Sequence, residues 1–309
     1  MHAAAAAAAA PGGRVRGTGQ KRLVELFGGM GGVTLGAVEA GMVSLLWVGE
    51  SPRAEAVHAA RFPDCVHWRG ALDVSGAFEA MSPAVAWDSV RSLCVARRVP
   101  LSQLHVHASP PCARRRSGGS DDADGGAELN AFADVGYDDD DEETGLEALL
   151  WTVNLFNELR AASDNITYTC DVAAADGVMA VLSRSGVHHR VLAAHELGAR
   201  SICSRVVAGR WDPEAAAMRC AAAPPQALRA ALDALPPGSL GDGDAQERLK
   251  RCALALRLYL QGFPPDYLDG MDIDPQCANE MVVDELPPPL ARAFLCAVLT
   301  EEECRRCSL

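Results

Sequence analysis

Cys112 stands behind two prolines at the end of a short apolar run, Leu104–Ala108 followed by Ser109-Pro110-Pro111. A thiolate delivered onto a sheet edge in this way is a nucleophile able to bond covalently with a substrate carbon. Upstream, Phe27-Gly28-Gly29-Met30-Gly31-Gly32 joins another apolar run to a helical stretch. Such a turn lets the backbone come close to a ligand and leaves amides exposed at a helix N-terminus. Thr34 stands where a dinucleotide fingerprint needs its third glycine, so GxGxxG fails. Glu50 ends the next apolar run, about 20 residues on, where a carboxylate binds ribose hydroxyls. A nucleoside-binding turn with a nucleophile on a neighbouring strand is the layout of a group-transfer enzyme.

The elements that position these residues alternate. Apolar runs predict strands at Arg22–Phe27, Leu45–Glu50, Val66–Arg69 and Leu104–Ala108, with helices at Gly32–Ala40, Arg53–Arg61 and Ala84–Arg97 between them. Leu146–Leu159 reads as an amphipathic helix, and Ile166–Cys170, Arg190–Ala194 and Arg205–Ala208 as further strands. Helix returns at Leu249–Leu260 and Pro287–Leu299. This is α/β: a mostly parallel, doubly wound sheet of Rossmann-like type, binding ligands at the carboxyl ends of its strands. Four regions follow: an alanine-rich disordered tail at 1–20, a catalytic domain at 21–210, a small region of Ala, Pro and short helical pieces at 211–248, and a return to the catalytic domain at 249–309.

The 309-residue length and 49% hydrophobic content suit a soluble globular protein of one large domain. No apolar run reaches the roughly 18 residues of a membrane span, and the alanine-rich start lacks the features of a secretory signal. Eleven scattered cysteines read as reduced thiols of an intracellular protein. Cys304 and Cys307 form a CxxC without a second pair, so no metal is expected. Most of the net charge of −13 comes from eleven Asp and Glu, with no Lys or Arg, in an acidic insert at 120–143. That insert reads as solvated and disordered, and the remainder of the chain is close to neutral.

The order of these motifs resembles the cytosine-5 DNA methyltransferases, which are S-adenosylmethionine-dependent. Glu25-Leu26-Phe27-Gly28-Gly29-Met30-Gly31-Gly32 is similar to the family's D-L-F-x-G-x-G-G, and Glu50-Ser51 to its second motif. Ser109-Pro110-Pro111-Cys112-Ala113 resembles the nucleophile motif G-x-P-C-Q. Leu260-Gln261-Gly262-Phe263-Pro264 matches L-Q-G-F-P, and Pro287-Pro288-Pro289-Leu290-Ala291 matches the end of G-N-A-V-P-P-P-L-A. The resemblance runs from about Arg22 to Leu299. It implies that Phe27, Gly29, Gly31, Glu50, Asp73, Pro111 and Asp284 hold the cofactor, and that Cys112 attacks a flipped cytosine in DNA, with RNA as the alternative substrate.

Departures bear on activity. The family's Glu-Asn-Val appears as Cys170-Asp171-Val172, so Asp171 replaces the catalytic glutamate only if the strand shifts by one residue. Of an arginine pair, Arg205 remains and Cys203 takes the other place. Val283-Asp284 replaces Gly-Asn. Arg114-Arg115-Arg116 can contact phosphates, and the acids that follow could mask them. The 211–248 region is about a third of a usual recognition domain and has few side chains that read base edges. These departures give two alternatives: a catalytically inactive protein that binds the cofactor or regulates a partner, and an RNA methyltransferase.

Overall fold

The computed structural model describes residues 19–70, 81–111, 139–197, 203–212, 214 and 245–299. The alanine-rich start, Asp73, Cys112, most of the acidic segment and nearly all of 211–248 lie outside them. Within the described residues, strands β1 (Arg22–Leu26), β2 (Val43–Gly49), β3 (Val66–Arg69), β4 (Leu104–Ala108), β5 (Thr167–Ala173), β6 (His189–Ala193) and β7 (Ser204–Gly209) form one sheet. Its order is β3-β2-β1-β4-β5-β7-β6. All pairs are parallel except those of β7, which runs antiparallel to both β5 and β6. The central strands β1 and β4 are buried along their whole length, as a sheet covered on both faces requires.

Helices α1 (Gly32–Glu39), α2 (Pro52–Arg61), α3 (Pro83–Arg97), α4 (Asp139–Ala162), α5 (Asp176–Arg184), α6 (Ala245–Gln261), α7 (Pro275–Asp284) and α8 (Pro288–Val298) complete the described fold. Val24, Val106, Tyr168 and Val206 face α3, α4 and α5, meeting Trp87, Phe156 and Leu182. Leu23 and Val207 face the other way, toward Val33 of α1 and Leu290 and Phe294 of α8. A third cluster joins Met30 and Val57 to Leu258, Phe263, Tyr267 and Val282. The carboxyl-terminal segment therefore packs directly beside the glycine turn.

Three differences from the sequence expectations have physical reasons. Helix α4 starts at Asp139, inside the acidic run rather than at Leu146. Asp and Glu are favourable residue types at a helix start, so helical backbone extends into this part of the run. Strand β5 continues past Cys170 to Ala173, carried by its antiparallel ladder with β7. Helices α5 and α7 were not anticipated. The second starts on a standard signal, with Asp274 accepting from the Gln276 amide at 2.9 Å and Pro275 in the first turn. Among the described residues, no helix is long and apolar enough to cross a membrane.

Candidate active site

Register brings the strand ends together. Leu26 pairs with Val48 on one side and Ala108 on the other, and Ala108 pairs with Cys170. Phe27, Glu50 and Pro111 each lie just beyond these ends, at one edge of the sheet. Arg205 lies near the start of the reversed strand β7, opposite Ala173, which brings it to the same edge. Glu50 and Pro111 are exposed there.

The turn after β1 is held in an unusual conformation. Phe27 sits at φ 55°, a left-handed geometry that costs a side-chain-bearing residue about 1–2 kcal/mol. The Gly28 amide donates to the Val48 carbonyl at 2.8 Å, and the Phe27 ring meets Trp151 edge-on at 5.5 Å. Gly31, at φ 113°, caps α1 with no side-chain hydrogen bond. Trp47 Nε1 donates to the Gly29 carbonyl at 3.0 Å, and the Tyr267 hydroxyl donates to the Met30 carbonyl at 3.0 Å.

The amides of this turn carry an anion, and it belongs to the protein. The Glu285 carboxylate accepts from the Met30 amide at 2.8 Å and from the Gly32 amide at 2.7 Å. A Cβ on Gly29 would lie 2.2 Å from Glu285 Oε2, so glycine there makes room for this carboxylate. Burial raises the Glu285 pKa to about 7, against the lowering pull of the amides. On the other side of the turn, Glu25 is fully buried in β1 and accepts from the Thr34 hydroxyl. Burial and then the charge of Glu285 raise its pKa to about 8.

A second polar network lies beneath Ser109. Asp171 accepts from the Ser109 hydroxyl at 2.6 Å and meets His107 Nε2 at 3.1 Å. Arg205 Nε lies 4.0 Å from its other oxygen. Burial favours the protonated acid, but the His107 hydrogen bond and the Arg205 charge outweigh it and hold the pKa below the ordinary aspartate value. The His107 ring stacks on Phe294 of α8 at 5.3 Å and also shares a 2.8 Å hydrogen bond with Thr169.

Cys170 is wholly buried in the core toward α4, whereas Asp171 faces His107 on the opposite side of β5. Of the expected site residues, Phe27, Gly29, Gly31, Glu50, Pro111, Asp171 and Arg205 gather at this edge. Asp284 ends α7, while Asp73 and Cys112 fall outside the described residues. Sequence reasoning missed Glu285, Trp47, His107 and Ser109. Glu285 had one legible signal: it follows Asp284 where the family motif has a small residue.

No family model and no curated protein matches the sequence. Solved structures do match. A protein assigned as a DNA modification methyltransferase, encoded within an E. coli prophage, aligns with a TM-score of 0.57 at 14% identity, covering 90% of this chain and 98% of that one. The S. pombe Dnmt2 methyltransferase gives 0.55 at 11% identity, covering 91% and 98%. A mutant DNMT2 of Spodoptera frugiperda gives 0.52 at 12% identity, covering 90% and 99%. Across nearly its whole length, this chain has the fold of these methyltransferases.

Proposed function

We propose that this chain is a cytosine-5 methyltransferase that uses S-adenosylmethionine and acts on DNA, with Cys112 as its nucleophile. The observation that supports this most is the register of the sheet, in the fold just described. It sets the glycine turn, Glu50 and the Ser109-Pro110-Pro111 lead-in on neighbouring strand ends. The nucleoside end of the cofactor fits this edge. Glu50 is exposed for the ribose hydroxyls, and Phe27 and Pro111 offer apolar contact. When bound, the cofactor supplies an electrophilic methyl group.

The protein's own chemistry is to make cytosine C5 reactive. The Cys112 thiolate adds to C6, which turns C5 into an enamine-like carbon; loss of the C5 proton after alkylation expels the sulfur. Asp171 acts here as a positioning residue. Its carboxylate anchors Ser109, which precedes Cys112 by three residues. Arg205 balances the buried Asp171 charge at the open edge.

One observation favours a second reading, in which the protein binds the cofactor without turning it over: Cys170 leaves no carboxylate on its face of β5. Incubation with labelled S-adenosylmethionine and duplex DNA or tRNA separates the readings. Label in DNA supports the first, label in tRNA alone moves the substrate to RNA, and cofactor binding without transfer to either supports the second.

A further inference from the structure

We propose that His58, Cys65 and His67 form a metal site of the zinc class, pinning α2 to β3 beside the glycine turn. The three come from the last turn of α2, the loop after it and the second position of β3. Their donor atoms all lie within 4.8 Å of one another. These residues are distinct from the C-terminal Cys304 and Cys307.

The ring nitrogens are arranged as ligands. His58 Nε2 lies 3.0 Å from the Thr34 hydroxyl, and that hydroxyl donates to Glu25. With the hydroxyl proton given to Glu25, the Nε2–H tautomer of His58 donates to Thr34 and leaves its Nδ1 lone pair facing inward. That lone pair meets His67 Nε2 at 2.8 Å. A metal at 2.0–2.1 Å from each nitrogen would spread them to about 3.3 Å, a small adjustment for a part-buried His67. A histidine fixed through its outer nitrogen by a hydroxyl and a carboxylate is the usual support of a metal-ligating imidazole.

Sulfur supplies the third protein donor, which leaves the fourth position of a tetrahedral zinc to water. Cys65 Sγ accepts from the Ser44 hydroxyl at 3.1 Å, a contact that would persist with a thiolate. Binding releases one proton, from Cys65, while the His67 proton moves to the other ring nitrogen. Trp47 lies 5.7 Å and 5.8 Å from the two imidazole rings and, with Phe62 against His58, provides an apolar surround. Two imidazoles and a thiolate select Zn²⁺ over Mg²⁺ or Ca²⁺.

The test uses the full chain stripped with a chelator, then dialysed against Zn²⁺ or Co²⁺ and assayed for bound metal. One equivalent is expected, with a thiolate-to-cobalt absorption band in the Co²⁺ form. Cys65→Ser should abolish the band, and His67→Gln, which removes a donor outright, should weaken binding by more than the roughly 10- to 100-fold that loss of an outer-shell partner costs. The Cys304→Ser/Cys307→Ser double variant should keep both metal and band. His67→Gln, at a part-buried position, carries the test if Cys65→Ser does not fold. No bound metal in wild type, or a band lost only in the C-terminal double variant, overturns the proposal.

Discussion

Replacing Glu285 with alanine should tighten S-adenosylmethionine binding. The carboxylate holds the Met30 and Gly32 amides at 2.8 Å and 2.7 Å, and those amides are the natural seat for the only anionic group of the cofactor. A hydrogen bond to a charged acceptor is worth about 1.5–3 kcal/mol. If the cofactor's carboxylate inherits one of the two amides, affinity rises about 10- to 150-fold at 1.4 kcal/mol per decade. Calorimetry on wild type and Glu285→Ala, with adenosine as a ligand that lacks the carboxylate, isolates the effect. Adenosine affinity should stay the same in both proteins. The pH dependence follows from the raised pKa of about 7. As pH rises from 6 to 8, Glu285 ionises and competes harder, so wild-type affinity for S-adenosylmethionine falls while that of Glu285→Ala stays flat. Weaker cofactor binding in Glu285→Ala, or an equal gain for adenosine, would refute the argument and make Glu285 a support of the turn instead of a competitor.

Other outcomes follow from the same geometry. Because the Glu285 pKa is raised, its contribution to stability is complete below its unfolded value and lost as pH rises through about 7. Glu285→Gln should therefore flatten the urea midpoint between pH 5 and 8. Asp171 has the opposite sign: its lowered pKa stabilises above the unfolded value, and that contribution disappears as pH falls through the folded one. Asp171→Asn should reduce acid sensitivity below about pH 4 while lowering stability at neutral pH, both read by denaturant melts. Wild type should form a covalent adduct with 5-fluorocytosine DNA, and Cys112→Ser should not, as gel shift under denaturing conditions will show. Cys170→Glu should fail to raise turnover and should cost several kcal/mol, because it buries a carboxylate in the apolar core toward α4; a faster enzyme would show that β5 can shift.

The strands were readable because a sheet covered on both faces demands apolar runs, and Leu104–Ala108 and Val66–Arg69 match their strands to the residue. The edge site was readable for a related reason: its members follow directly on those runs. What the sequence concealed was contact across long separations. Glu285 reaches Met30 across 255 positions; a charge in place of the motif's small residue marks Glu285, but nothing local to it names its partner. The two faces of β5 show the same limit. Alternation separates Cys170 from Asp171, but only the neighbouring strand supplies the His107 and Ser109 that claim the aspartate. The acidic run was read by composition alone, which cannot register that its end serves as the first turn of α4.

The packing of α1 against α8 has a consequence for synthesis. Gly32–Glu39 emerges from the ribosome early, but its covering helix, Pro288–Val298, is almost the last described segment to be made. At about 5–20 residues per second, the intervening chain takes roughly 13–50 s. Throughout that interval, one face of β1 and the amides of the glycine turn have no partner from the carboxyl-terminal segment. Strand β7 likewise enters between β5 and β6 only after both have been translated. The nascent chain thus carries an open apolar face until Pro288–Val298 is made, and loss of that helix should leave a product that chaperones hold or proteases clear.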